Sequence, residues 1–304
     1  VIELAAGQKI ILENIAKDQL DNKDFIFFGQ TLGTAADKRI VGSDVPDLID
    51  GGDGDDIIRG FEWADNIYGG NGNDILRGDH GDDKLYGGNG DDALIGGIGN
   101  DTLYGGDGDD QIEGVAGENL IYGESGQDLI FGGYDADQIY GGAGNDTIVG
   151  ETSNSDINGA ADYLYGDDGD DIILGGAGDD WLYGGNGNDT LQSDIGNDNL
   201  FGGAGDDILR VSAGNNIITG GLGNDLFVIN DNYNNNDIIS DFDIANEKID
   251  LLNLTDISDF NQLIFEQQGS NTLIRLANEQ TLTLENININ DLERTHFITK
   301  NNAP

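Results

Sequence analysis

The chain has 304 residues, 59 of them acidic and 13 basic, for a net charge of −46. That balance argues against nucleic acid, whose binders carry basic patches, and against an anionic membrane surface. The absence of cysteine removes disulfides, thiolate metal sites and cysteine nucleophiles, and 50 glycines beside two prolines point to an internal repeat rather than to collagen.

Residues 1–41 form the first segment. Laid over 273–298, residues 1–26 share 11 identities without a gap, among them the run LENI at Leu12–Ile15 and Leu284–Ile287. Similar amphipathic strands would not hold register so long. Residues 1–32 therefore read as the tail of an upstream unit like this one, or as a trimmed copy serving as an N-terminal β cap. The first residue is Val1, and a longer parent protein with tandem units is expected.

A nine-residue period runs from Gly42 to Val149 and again from Gly166 to Val228, giving 19 units. Residues 69–77 read GGNGNDILR and 96–104 read GGIGNDTLY. Position six is Asp in 17 units, with Asn119 and Asn216 as exceptions, and position eight is Ile, Leu or Phe in all 19. Glycines at positions one, two and four permit positive φ, so six residues can turn tightly. Positions seven to nine then form a short strand with position eight pointing inward. Two units make an 18-residue coil, and stacked coils pair their strands in parallel at ~4.8 Å. The fold class is all-β: a parallel β-roll of about ten coils around a thin core of position-eight side chains.

The unit GGxGxDxUx resembles the RTX (repeats-in-toxin) calcium-binding nonapeptide family. The resemblance implies a right-handed roll with Ca²⁺ between successive turns of one edge, each turn pairing with the one 18 residues on. It also implies position-six carboxylates and turn carbonyls as ligands, a set that suits a hard cation taking six or more oxygens. Only His80 and His296 would serve a softer metal.

On edge A every turn keeps Gly at position four and Asp at position six. The ligand carboxylates there are Asp56, Asp74, Asp92, Asp110, Asp128, Asp146, Asp171, Asp189, Asp207 and Asp225. The turn carbonyls lie around Gly52, Gly54, Gly70, Gly72, Gly88, Gly90, Gly106, Gly108, Gly142, Gly144, Gly185, Gly187, Gly203 and Gly205. Ten stacked turns leave nine gaps, hence about nine Ca²⁺ in one row. Dications ~5 Å apart repel, and further acids such as Asp53, Asp55, Asp107, Asp109, Asp167, Asp168 and Asp170 offset that. Edge B, with Asp65, Asp83, Asp101, Asp137, Asp162, Asp180 and Asp198, loses glycines or the acid in several turns. Good edge-B sites are expected only between the turns starting at 78 and 96 and between those at 175 and 193. Binding and folding should be one event, since −46 opposes compaction of the metal-free chain.

Residues 150–165 hold 16 residues where nine fit, with Asp162, Leu164 and Tyr165 restoring positions six, eight and nine. One continuous roll with a loop near Thr152–Ala160 follows. An aromatic ladder crosses the same insertion: Tyr68, Tyr86, Tyr104, Tyr122, Tyr140, Tyr165, Tyr183 and Phe201, one per coil at position nine. It either stabilises neighbouring strands or docks a glycan or a neighbouring domain.

Residues 229–304 read as a C-terminal β cap of antiparallel strands over 238–242, 248–252, 262–266, 272–276 and 281–284, with a loop or short helix over 286–295. DIISDF at 237–242 and EKIDL at 247–251 resemble the segment after the repeats in serralysin-type proteins secreted by type I exporters. Asp241 and Asp250 are candidates for a last calcium site. No HExxH or GxSxG occurs and the two histidines are distant in sequence, so catalysis finds no support. The resemblance implies a secreted calcium-dependent folding module, exported unfolded, rather than an enzyme.

Overall fold

The computed structural model describes residues 37–151, 159–230, 235–276 and 279–301, together with the paired antiparallel strands Ile2–Glu3 and Lys9–Ile10. The readings made for the rest of 1–36 and for the loop over 152–158 lie outside these residues.

Most nonapeptides contribute a six-residue strand and a three-residue bend, with shorter strands such as Leu129–Gly133 and Ile208–Val211. Thr102–Asp107, Gln111–Ala116 and Leu120–Ser125 show the pattern. The strand runs from position seven through position three of the next unit, twice the length that the motif suggested. Glycine at position one stays in the sheet with an ordinary φ, and only positions two and four take positive φ. The turn proper is thus positions four to six.

Alternate strands build two sheets, of 14 and 13 strands, facing each other across the core. Pairing is parallel with an 18-residue offset, so Leu85, Leu103 and Ile121 stack in one sheet and Leu94, Ile112 and Ile130 in the other. These side chains are wholly buried. Full burial of each contributes about 1.5–3 kcal/mol. Leu94→Ala is expected to cost about 2–5 kcal/mol, read as a lower urea midpoint of the calcium-loaded chain. Ile40→Ala, at the end of the column, should cost less.

The strands pair across the insertion: Gln138–Ala143 lies beside Tyr163–Asp168, with Tyr140 opposite Tyr165. At the N-terminal end, Arg39–Val41 pairs with Ile57–Glu62 and Ile40 joins the core. The roll therefore begins before Gly42, in the same nine-residue frame. The ladder rings stack at centroid distances of 4.6–5.0 Å and interplanar angles of 2–9°.

The C-terminal segment is antiparallel only in part. Asn236–Ile239 and Lys248–Asp250 continue the two sheets in parallel, placing Ile239 beside Ile218 and Ile249 beside Phe227. Thr281–Leu284 pairs in parallel with Asn236–Ile239, and Ile264–Gln268, Asn271–Arg275 and Thr281–Leu284 form the antiparallel part. Alternation of apolar residues has period two in either direction, so it could not distinguish the two. Two 3-10 turns, Ile289–Asp291 and Arg294–His296, occupy the expected loop. Phe242, Leu251, Leu254, Ile274 and Phe297 close the core at this end.

Candidate calcium columns

The turns stack as regularly as the strands. Along edge A the backbone N–H of each position-six residue donates to Oδ1 of its counterpart one coil on: Asp56 to Asp74, Asp74 to Asp92 and Asp92 to Asp110, each at 2.7 Å. The ladder crosses the insertion from Asp146 to Asp171 and ends at Asp225. Edge B carries the same ladder from Asp47 through Asp65, Asp83, Asp101, Asn119 and Asp137, then on to Asp162, Asp180, Asp198, Asn216 and Asp237. Its irregular sequence does not break its backbone. Phe61, Asp79, Val115 and Asp194 take positive φ at position two where glycine is usual.

The other carboxylate oxygen is the unusual one. Oδ2 of Asp74, Asp92, Asp110, Asp128, Asp146, Asp171, Asp189 and Asp207 on edge A is buried and accepts no hydrogen bond. The same holds for Asp65, Asp83, Asp101, Asp137 and Asp180 on edge B. A buried acceptor without a donor is costly, and a charged one far more so. Each Oδ2 points back at glycine one of its own turn. A Cβ built on Gly87 would meet both Asp92 Oδ2 and the Gly105 carbonyl at under 3.0 Å. The carbonyls of Gly52 and Gly54 similarly face Gly70 and Gly72 in the next coil, where any Cβ would collide. The gaps between these aspartates thus hold carboxylate and carbonyl oxygens without hydrogens, a donor set that fits Ca²⁺. Among the described residues no three His, Cys, Asp or Glu side chains converge, so a cation here would depend on single carboxylates joined by backbone carbonyls.

Burial, ahead of every other cause, pushes these carboxyls up. Asp74, Asp128 and Asp189 rise to about 6. Asp92, Asp101 and Asp110 rise to about 7, and Asp162 and Asp198 to about 8. Neighbouring carboxylates push the same way, against the pull of the backbone N–H.

Other predicted ligands are placed differently. Asp56 Oδ2 is met by the Lys38 ammonium at 3.3 Å. Asp225, last in the edge-A row, lies beside the buried Glu247; burial first raises both, with repulsion from Asp241 adding at Asp225 and repulsion from Asp225 adding at Glu247. Asp241 accepts from the N–H groups of Gly220 and Gly221 at 2.9 and 2.8 Å, so it caps the same turn. Asp250 sits in the opposite sheet, opposite Val228 and Ile298, and accepts from Leu252 N–H. Two contributors lie off the acidic motif, and the position-five acids do more than offset charge. Lys38 stands in frame 18 residues before Asp56 but is not acidic. Glu247 lies outside the repeat. Position-five side chains form a second ladder, in which Asp55, Asn73 and Asp91 each accept the N–H of the next coil's counterpart.

Stacked turns lined by hydrogen-free oxygens define a parallel β-solenoid of the calcium-binding class. The chain belongs to the RTX calcium-binding nonapeptide repeat family, whose model matches residues 33–60, 64–94, 86–121, 113–148, 156–191 and 193–227, more than half of the sequence. No curated protein matches it. Thirteen chains of solved structures do. One is a hyperactive, Ca²⁺-dependent, β-helical antifreeze protein from an Antarctic bacterium, at 21% identity, covering 76% of this chain and 88% of that one, with a TM-score of 0.41. Another is the AlgE6R3 subunit of the Azotobacter vinelandii mannuronan C5-epimerase, at 20% identity, covering 55% and 80%, with a TM-score of 0.25. Among the described residues no helix is long and apolar enough to cross a membrane.

Proposed function

We propose that the chain is a calcium-dependent folding and stabilising module of a secreted protein. The column of buried, donorless Oδ2 atoms carries this reading. Without a cation each such carboxylate opposes folding, and with one it becomes a ligand. Calcium then acts by mass action on the folded state. The resemblance to type I secreted proteins supports export of the unfolded chain and folding outside, against the ~10⁻⁴–10⁻³ M affinities of extracellular modules. The C-terminal segment acts as a cap, because an open sheet edge invites aggregation. We assign the module no catalytic role.

The aromatic ladder fits a structural role better than glycan docking. A sugar platform offers open ring faces, whereas these rings stack face to face on each other and leave mainly their edges outward. Stacked pairs contribute ~0.2–1 kcal/mol each to neighbouring strands.

The test is to count ions in the purified chain after dialysis against calcium, with circular dichroism recorded on the same sample. About nine ions on edge A and further ions on edge B are expected, and Asp92→Ala/Asp110→Ala should lose ions and β signal together. Full β structure with no bound calcium would overturn the reading.

A further inference from the structure

At three points in the two columns a lysine ammonium or an asparagine amide supplies hydrogens that the carboxylate gaps beside it lack, and at the start of edge B Ser43 does so for Asp47 Oδ2. Lys38 occupies position six of the unit before Gly42. Its backbone N–H joins the edge-A ladder, donating to Asp56 Oδ1 at 2.7 Å. Its ammonium reaches Asp56 Oδ2 and also donates to the Gly51 carbonyl. These are a carboxylate oxygen and a turn carbonyl of one turn, the pair a cation would take. On edge B, Asn119 has nearly the shape of Asp, and its Nδ2 lies against Gly114 as each Oδ2 lies against its own first glycine. It donates to the Gly117 carbonyl at 2.9 Å. Asn216 donates to the Gly214 carbonyl at 3.3 Å and to Asp237 Oδ1 at 2.9 Å.

We infer that Lys38, Asn119 and Asn216 are built-in replacements for calcium: the ammonium ends the edge-A row, and the amides interrupt the edge-B row. This rests on the calcium reading of the columns. The electrostatics favour it. An N–H aimed at the turn carbonyl puts positive charge where a cation would sit, so metal and donor exclude each other. Closely spaced dications repel, and a neutral amide breaks such a row without breaking the backbone ladder. An ammonium at the first gap neutralises Asp56 with no metal present. The N-terminal coil is therefore closed independently of calcium, while the coils after it wait for the ion.

The experiment is an ion count by elemental analysis on the full chain in saturating calcium. Asn119→Asp is expected to bind one ion more than wild type, and Asp101→Asn one fewer. Lys38→Asp should also gain one, whereas Lys38→Gln, which keeps a donor, should gain none. Circular dichroism confirms that each variant is folded, and should Lys38→Asp not fold, Asn119→Asp decides. A wild-type count well above zero with unchanged counts in Asn119→Asp and Lys38→Asp would overturn this inference and leave the calcium reading intact. A wild-type count of zero would overturn both.

Discussion

In chelator at pH 7.5 the chain is expected to lose its β signal, and acidification toward pH 5 without any metal should bring much of it back. The position-six carboxyls set this response. In the folded, metal-free chain burial raises most of those along the interior of the two rows, Asp74, Asp92 and Asp162 among them, from 3.8 to between about 6 and about 8. A raised folded pKa means that the folded state binds the proton more tightly than the unfolded one. The stabilisation from protonation is therefore fully present below the unfolded value of 3.8 and is lost as pH climbs through about 6 to about 8. At neutral pH these groups must either ionise in a buried setting, which favours unfolding, or meet a cation. The net charge of −46 works in the same direction.

Calcium and protons thus compete for the same oxygens. The calcium concentration at the folding midpoint is expected to fall as pH falls from 8 to 6, since protons already stabilise the folded chain, while the number of ions each folded chain takes up falls with it. Circular dichroism titrations with calcium at several pH values read this directly. A chelated chain that stays fully folded at pH 8, or a midpoint unmoved between pH 8 and pH 6, would show that the buried carboxyls do not control the switch.

Much of this was legible because the repeat is strict. The position-eight column, the alternation of two sheets and the phase across the insertion all follow from counting by nine, and Leu164 and Tyr165 land where the count puts them. What escaped did so for physical reasons. Glycine marks turns, so the extension of each strand through positions one to three was hidden: Gly87 serves close approach, not positive φ. Lys38 contradicts the acidic motif while performing its task by the opposite charge. Phe61 and Val115 look like failed turns, yet the neighbouring coils impose the turn on them. Asn236–Ile239 has the alternation of any strand, and only its partners reveal that it extends the roll.

Gly87→Ala is expected to be among the most damaging single substitutions in the chain. The backbone there has an ordinary φ, so alanine pays no conformational penalty of the left-handed kind. The whole effect comes from the space around it: the new methyl would meet Asp92 Oδ2, Asp92 Cβ and the Gly105 carbonyl together. Two of those atoms are oxygens facing the gap, so a methyl crowds the core turn and displaces the ligand set at once. Overpacking alone costs about 1–3 kcal/mol, and the bound-ion count should also fall by at least one. The natural exceptions agree with this coupling. Val211 and Ser193 are the only residues of the 19 units that place a side chain at position one. Val211 belongs to a unit whose position six is Asn216, not Asp, and Ser193 is among the smallest side chains that could stand there, its hydroxyl lying beside the Asp198 carboxylate as a donor. Gly269→Ala is the control. Gly269 has φ +66 with nothing within 4 Å of a Cβ, so its cost is the left-handed backbone alone, about 1–2 kcal/mol, with the ion count unchanged. Urea midpoints and ion counts of the two calcium-loaded variants separate strain from ligand displacement. A Gly87→Ala chain with the wild-type count would mean that glycine one serves the sheet and not the metal.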